Sequence, residues 1–395
     1  MLIGVDQQFE LRSIHCVHVR APGPGYWRGY AGDDAADLRR FYFQPGWRTV
    51  YSNVVESALV RIELSTGEVG WGESTAPIAP EVVVTITNGM LAELTVGRAM
   101  KSPMALMDFL YDAQRCRGYT GGYYQDAIAG LDIALHDALA KRAGIPLSRA
   151  LSPMPRDKLP CYLSGARATD RAGRIRVLRE WANGGGTAAK LFLRGALEDD
   201  LDEYQCLRDS VPEIDWWAVD ALWTYDTVDV AQRAKAAFTQ AGARWLECPM
   251  LPEDLDGYGT LVAFPGLPIA LGEHFRQYRQ LEPWFESAAM NVVQPDLGRT
   301  GFVEAMRILK AAQAYGVAIT PHMGSSFDLM HAATFHFAAC ADVDLPCEFQ
   351  ASLAGRLGDA VRSDWQLSAG AFVVPETPGL GVVVDEVALQ RFVVA

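Results

Sequence analysis

Trp216-Trp-Ala-Val-Asp220, Arg244-Trp-Leu-Glu247 and Leu267-Pro-Ile-Ala-Leu-Gly-Glu273 share one pattern, a short apolar run that ends on an acid. Short continuous apolar runs read as strands buried on both faces, as in a parallel sheet. Asp220 and Glu247 lie 27 residues apart, and Glu247 and Glu273 lie 26 apart, close to one strand–helix unit each. Lys158-Leu-Pro-Cys-Tyr-Leu163 and Ala188-Ala-Lys-Leu-Phe-Leu193 precede them. Met290-Asn-Val-Val-Gln-Pro295, Val317-Ala-Ile-Thr320 and Leu345-Pro-Cys-Glu348 follow. These runs, alternating with helical patterns, predict an α/β chain folded as a TIM-type (β/α)₈ barrel. A doubly wound open sheet is the alternative, and it lacks a Gly-x-Gly-x-x-Gly after an early strand.

In a parallel barrel the chemistry sits where the strands end, because the strand-to-helix loops converge there. Asp220, Glu247 and Glu273 on adjacent strand ends would repel one another unless protonated or neutralised by a cation. Hard oxygen donors with room for water and substrate suit Mg²⁺. The next two runs end at Gln294-Pro-Asp296 and Thr320-Pro-His322, and such an Asp and His pair fixes the imidazole tautomer and raises its basicity. Lys190, inside the second run, needs an anionic partner if buried and would hold a substrate carboxylate. Glu348 ends the eighth run, with an ordinary ion pair as its alternative role.

The first third of the chain reads differently. Ala58-Leu-Val-Arg-Ile-Glu-Leu64 alternates with period two and turns through Ser65-Thr-Gly-Glu68 into Val69-Gly-Trp-Gly-Glu73, which predicts a hairpin. Pro22-Gly-Pro-Gly25 and Gln44-Pro-Gly-Trp-Arg48 are loops, either surface connections or a lid over substrate. From Gln125 a helix places Ile128, Leu131, Leu135 and Leu139 on one face and ends at Gly144 before Pro146.

Composition narrows the partners. With 395 residues, 35 Lys plus Arg against 48 Asp plus Glu and a net charge of −13, the chain has no basic run to hold nucleic acid or an anionic membrane. No apolar stretch is long enough to span a bilayer, and the start lacks a signal-peptide pattern. Seven scattered cysteines without a Cys-x-x-Cys pair read as reduced thiols, so a cytoplasmic protein is expected.

Taken in order, these residues resemble the enolase superfamily, in its mandelate-racemase-like subgroup. Gly70-Trp-Gly-Glu73, Gly130-Leu-Asp-Ile-Ala-Leu-His-Asp137 with Lys141 and Gly144-Ile-Pro146, Trp245-Leu-Glu-Cys-Pro249, Gly272-Glu273, Gln294-Pro-Asp296, Pro321-His322 and Pro378-Gly-Leu-Gly381 carry the resemblance. It implies a modified (β/α)₇β TIM-type barrel, residues 126–367, under an α+β capping domain, residues 1–125 completed by 368–395. It also implies Mg²⁺ on Asp220, Glu247 and Glu273, removal of the proton α to a carboxylate, and catalytic roles for His322, Asp296, Lys190 and Glu348. A homo-oligomer, dimer or octamer, is implied as well.

Departures from the family pattern select the reaction. Where racemases of the family carry Lys-x-Lys, this chain has Lys190-Leu-Phe192, and phenylalanine takes no proton. One base, His322, remains, and it would both remove the α-proton and protonate a departing β-hydroxyl. A dehydratase of a sugar acid, aldonate or aldarate, is therefore expected, giving a 2-keto-3-deoxy acid. Gly272-Glu273-His274 matches dehydratases of the rhamnonate type. Leu222 stands where the family usually has Asn, and Cys248 where a second Glu is common. The alternatives are a racemase or epimerase of a 2-hydroxy or amino carboxylate, and a silent sugar-acid binder. A metal-dependent hydrolase is disfavoured, because Cys161-Tyr-Leu-Ser164 replaces the expected His-x-His. Candidate substrate contacts are His274, Arg48, Tyr26, Trp27 and Arg194, with Arg276 a further arginine beyond a barrel strand.

Overall fold

The computed structural model describes residues 8–25, 27, 39–341 and 345–394. The N-terminal part builds an antiparallel sheet from β1 (Phe9–Ala21), β4 (Val55–Leu64), β5 (Val69–Ser74) and β6 (Ala99–Met100), in the order β5-β4-β1-β6. The predicted hairpin is β4 and β5, and Val60, Ile62 and Leu64 face the core from alternate positions. A separate hairpin, β2 (Phe41–Gln44) with β3 (Thr49–Ser52), turns at Pro45–Trp47.

The helix expected from Gln125 starts earlier and spans Gly122–Ala143, ending where Gly144 turns left-handed at φ 68°. It lies against β5 at glycine distance. A Cβ on Gly70 would come within 2.0 Å of the Ala134 carbonyl oxygen, and one on Gly72 within 2.2 Å of that of Gly130. Buried Asp137 ties three distant segments together. It accepts hydrogen bonds from the backbone N–H groups of Trp71 (2.9 Å) and Leu380 (2.8 Å) and pairs with Lys141 at 2.6 Å. Gly70-Trp-Gly-Glu73, Asp137, Lys141 and Pro378-Gly-Leu-Gly381 are thus one junction in space.

Eight parallel strands form the barrel: β7 (Lys158–Ser164), β8 (Ala188–Phe192), β9 (Trp216–Asp220), β10 (Leu246–Glu247), β11 (Ile269–Leu271), β12 (Val292–Val293), β13 (Ala318–Ile319) and β14 (Cys347–Phe349). Neighbours pair from β7 through β13, and β14 pairs with β7. Between β13 and β14 the circuit is bridged by a side chain, the Thr320 hydroxyl donating to the Pro346 carbonyl at 3.0 Å. Among the described residues, seven helices lie between the eight strands, from Arg171–Asn183 to Asp328–Cys340, and none closes the last strand onto the first. That is the (β/α)₇β arrangement.

The regular strands are shorter than the apolar runs. Arg244 and Cys248 still bond across to Trp217 and Ala270 beyond the ends of β10, and Gly272, at φ 133°, breaks β11 just before Glu273. After β14 the chain makes β15 (Val361–Ser363), β16 (Gln366–Ser368), β17 (Ala371–Val373) and β18 (Val382–Val384). The strand β17 runs antiparallel to the start of β7, and Val394 reaches β1 by donating to the His18 carbonyl at 2.9 Å. Among the described residues no helix is long and apolar enough to cross a membrane.

Candidate active site

Asp220 and Glu247 are the last residues of β9 and β10 and stand opposite each other in register, while Glu273 follows the break after β11. One carboxylate oxygen from each lies within 4.8 Å of the others. Burial raises the pKa of Asp220 well above the usual carboxylate range, and the neighbouring Glu247 adds to it. Burial raises that of Glu273 as well, opposed by the nearby His322.

Lys190 projects from β8 into this group, with Nζ 2.6 Å from Glu247, 2.9 Å from Glu348 and 3.5 Å from Asp220. Its side chain is 1% exposed. Burial disfavours its charge, but Glu247 and Glu348 reverse the effect and raise its pKa. One ammonium cannot balance the three acids and Glu348, and all the donors are hard oxygens, so the group fits a divalent cation. Glu247 is oriented by Trp245 Nε1 at 3.0 Å and Gln294 Nε2 at 2.9 Å. Such indirect contacts fix the direction of a ligand oxygen.

On the other flank His322 Nδ1 donates to Asp296 Oδ2 at 2.8 Å, leaving Nε2 toward Glu273 at 3.3 Å. Burial alone would lower the pKa of His322; Glu273, Glu348 and Asp296 outweigh it and raise it to about 10. Glu348 accepts from Ser164 Oγ and from the Met323 backbone N–H at 2.8 Å.

A cavity of about 200 Å³ opens over these groups. Asp220, Glu273, His322 and Glu348 line it, as do Trp27 and Arg299. Phe192 stands on one wall in an aromatic cluster, with Trp27 at 4.8 Å and with Trp47 and Leu222 packed alongside. The Pro45–Trp47 turn therefore covers the barrel mouth. Arg167, two residues beyond Gly165, lays its guanidinium over the Trp27 ring at 4.3 Å and the Phe192 ring at 5.2 Å. Leu222 (φ 48°), Trp223 (φ 58°) and Cys248 (φ 43°) are all left-handed beside the acids. Asn tolerates that region far better than leucine, so the strain is concentrated at the site.

The expected site residues separate into groups. Asp220, Glu247, Glu273, Lys190, Glu348, His322 and Asp296 come together, although Lys190 sits beneath the acids and is not part of the cavity wall. Trp27 reaches the cavity, and Tyr26 lies outside the described residues. Arg48 does not line the cavity and pairs instead with Asp226. Arg194 lines a different recess with Arg171, Arg174 and Asp200. His274 packs its ring on Phe275 and Trp223 and does not line the cavity. Its nitrogens have no hydrogen-bond partner among the described residues, and burial depresses its pKa to about 3. Arg276 pairs with Asp126 at 2.9 Å. Sequence reading gave no role to Thr75, Ser164, Arg167, Gln294, Arg299 or Gln350. Of these, Gln294 belongs to the Gln294-Pro-Asp296 motif and Arg299 follows it by three residues, so both were within reach.

The family description "Enolase C-terminal domain-like" matches residues 174–388, and "Mandelate racemase / muconate lactonizing enzyme, N-terminal domain" matches residues 44–151. The chain belongs to the enolase superfamily, in its mandelate racemase-like branch. Among its relatives, a D-galactarolactone cycloisomerase of Agrobacterium fabrum is 29% identical over 350 residues, covering 85% of this chain and 90% of that one. An L-rhamnonate dehydratase of Saccharopolyspora erythraea is 27% identical over 351 residues, covering 86% of each. A solved structure of an enolase superfamily member from Agrobacterium tumefaciens superposes with a TM-score of 0.89, at 29% identity, over 97% of this chain and 99% of that one. The relatives are enzymes of sugar acids and their lactones, one a lyase and one an isomerase by name.

Proposed function

We propose that the protein is a Mg²⁺-dependent dehydratase of a sugar acid that uses His322 as its one base. The observation that carries this reading is the 2.8 Å contact of His322 Nδ1 with Asp296, set against Phe192 at the second-lysine position of β8. A single mobile proton site suits removal and return on one face of the substrate, and nothing at Phe192 returns a proton from the other. A divalent cation on Asp220, Glu247 and Glu273 would supply the counter-charge for the negative charge that builds on the substrate as the α-proton leaves.

The protein's own groups do the rest. His322 Nε2 takes the α-proton, and the electron pair of that C–H bond becomes the new carbon–carbon double bond as the β-carbon–oxygen bond breaks. The imidazolium Nε2–H then passes its proton to the departing hydroxide, releasing water, and the enol product tautomerises to the 2-keto-3-deoxy acid. Asp296 holds the ring in one tautomer throughout. Ser164 and the Met323 N–H hold Glu348 at the edge of the cavity. The aromatic wall of Trp27, Trp47 and Phe192 excludes water from the reacting face.

A second reading keeps the same base and changes the leaving group. Ring opening of a sugar-acid lactone expels a carboxylate, which needs no proton, and the D-galactarolactone cycloisomerase relative favours it. Incubation with Mg²⁺ and a panel of aldonates, aldarates and their lactones in D₂O, followed by proton NMR, separates the readings. Water loss from an open-chain acid supports dehydration; product from lactones alone transfers the reading to cycloisomerisation. Inversion at the α-carbon without elimination would overturn both.

A further inference from the structure

We propose that Thr75, contributed by the capping part of the chain, is a positioning residue for the His322–Asp296 pair. The inference rests on His322 being the base. Thr75 follows β5 directly and is 2% exposed. Its hydroxyl donates to Asp296 Oδ1 at 2.8 Å, and its backbone N–H donates to the Gly298 carbonyl at 2.9 Å. The other oxygen of Asp296 accepts from His322 Nδ1 at 2.8 Å and from the Gly324 N–H at 3.2 Å.

Each oxygen of Asp296 is thus anchored by a different part of the molecule. Bonds to Oδ2 alone leave the carboxylate plane free to turn about the bond that carries it. The Thr75 hydroxyl at Oδ1 removes that freedom, and the fixed plane in turn fixes the imidazole that donates to it. The approach is too close for any larger residue. A Cβ on Gly298 would stand 2.1 Å from Thr75 Oγ1, and one on Gly324 would stand 2.9 Å from both Thr75 Cγ2 and Asp296 Oδ2.

Two residues earlier in the chain, Glu73 accepts from the N–H groups of Phe327 (2.7 Å) and Met330 (3.1 Å), at the start of the helix that follows the His322 loop. The end of the capping hairpin therefore grips both barrel loops that carry the pair. Neither residue lies on a barrel strand, and Thr75 touches no part of the acid cluster in the hydrogen bonds described. Its contribution passes through Asp296.

Thr75→Val keeps the branched shape and removes the O–H; Thr75→Ser keeps the O–H. Removing an outer hydrogen-bond partner typically costs ~10–100-fold, so Thr75→Val is expected to lower kcat by that factor, with KM within about twofold and Thr75→Ser close to wild type. A second readout needs no turnover. In ¹⁵N-histidine-labelled protein holding Mg²⁺, assigned with His322→Asn and read above the pH at which His322 loses its proton, the His322 signal should report one Nδ1–H tautomer in wild type and a mixture in Thr75→Val. Wild-type kcat together with an unchanged tautomer in Thr75→Val would overturn the proposal, as would a rise in KM alone or a serine variant as slow as the valine one. If the wild type neither turns over nor exchanges an α-proton, the base assignment fails, and the tautomer measurement still decides whether Thr75 positions the ring.

Discussion

Glu73 and Phe327 meet at 2.7 Å, the carboxylate of a capping strand accepting the N–H that opens a barrel helix. Burial raises the pKa of Glu73 to about 7, and the backbone donors only partly offset it. The folded state therefore holds a proton here that the unfolded chain releases near pH 4.5, so stability falls as pH rises through that window toward 7. The expected loss is roughly 2–4 kcal/mol. Thermal unfolding of wild type and Glu73→Gln at pH 5 and pH 8 checks it. The advantage of wild type over the variant should shrink at pH 8, and an equal gap at both pH values would contradict the assignment.

His322→Asn retains the size of the ring partner and loses the base. Turnover and α-proton exchange are expected to fall by at least ~10²–10⁴-fold, the usual worth of general base catalysis. Substrate should still bind in calorimetry. Surviving exchange in D₂O would mean that another group removes the proton.

Asp220, Glu247 and Glu273 repel one another without a counter-ion, so a divalent cation should stabilise the fold. At a hundredfold excess over its dissociation constant the gain is ~2.7 kcal/mol. Differential scanning fluorimetry with Mg²⁺ against EDTA should show a higher midpoint in wild type and a reduced response in Glu273→Gln. An equal response in the two proteins would place the cation elsewhere.

Arg299 lines the cavity, lies close enough to Glu273 and Asp296 to influence both, and its buried Nε has no hydrogen-bond partner among the described residues. A distal carboxylate on the substrate would meet it with charge-assisted bonds worth ~1.5–3 kcal/mol. Arg299→Met should then cost kcat/KM roughly 10–100-fold more for an aldarate than for the matching aldonate, by the same bond strength. Equal losses for the two substrates would give Arg299 no part in choosing between them.

Much of the site was legible in the chain because the barrel converts spacing into proximity. Asp220, Glu247 and Glu273 recur once per strand–helix unit, and each unit delivers its strand end to the same rim. Asp296 and His322 follow the same rule on the next two strands. The glycines of Gly70-Trp-Gly-Glu73 were legible as a motif, although their purpose, contact with the backbone of Gly130 and Ala134, appears only in space.

Arginines near the site were not legible in this way. Arg48 and Arg194 look alike in sequence, yet one pairs with Asp226 and the other faces a recess with Arg174 and Asp200. Arg299 and Arg167, unremarked in the chain, stand at the cavity and over its aromatic wall. Where a long flexible side chain ends depends on partners from other loops, which no local pattern encodes.

By itself the sequence determined the barrel, the order of its strand-end acids and the His322–Asp296 pair, while the meaning of Phe192 came from the family resemblance. The first three follow from periodicity and side-chain chemistry, which are local. Tertiary structure alone decided that Lys190 lies beneath the acids, that the Pro45–Trp47 turn closes on Phe192, and that Thr75 holds Asp296 from 221 residues away in the chain. Hydrogen bonds act over about 3 Å, and only the packing of the cap on the barrel brings such distant residues within that reach.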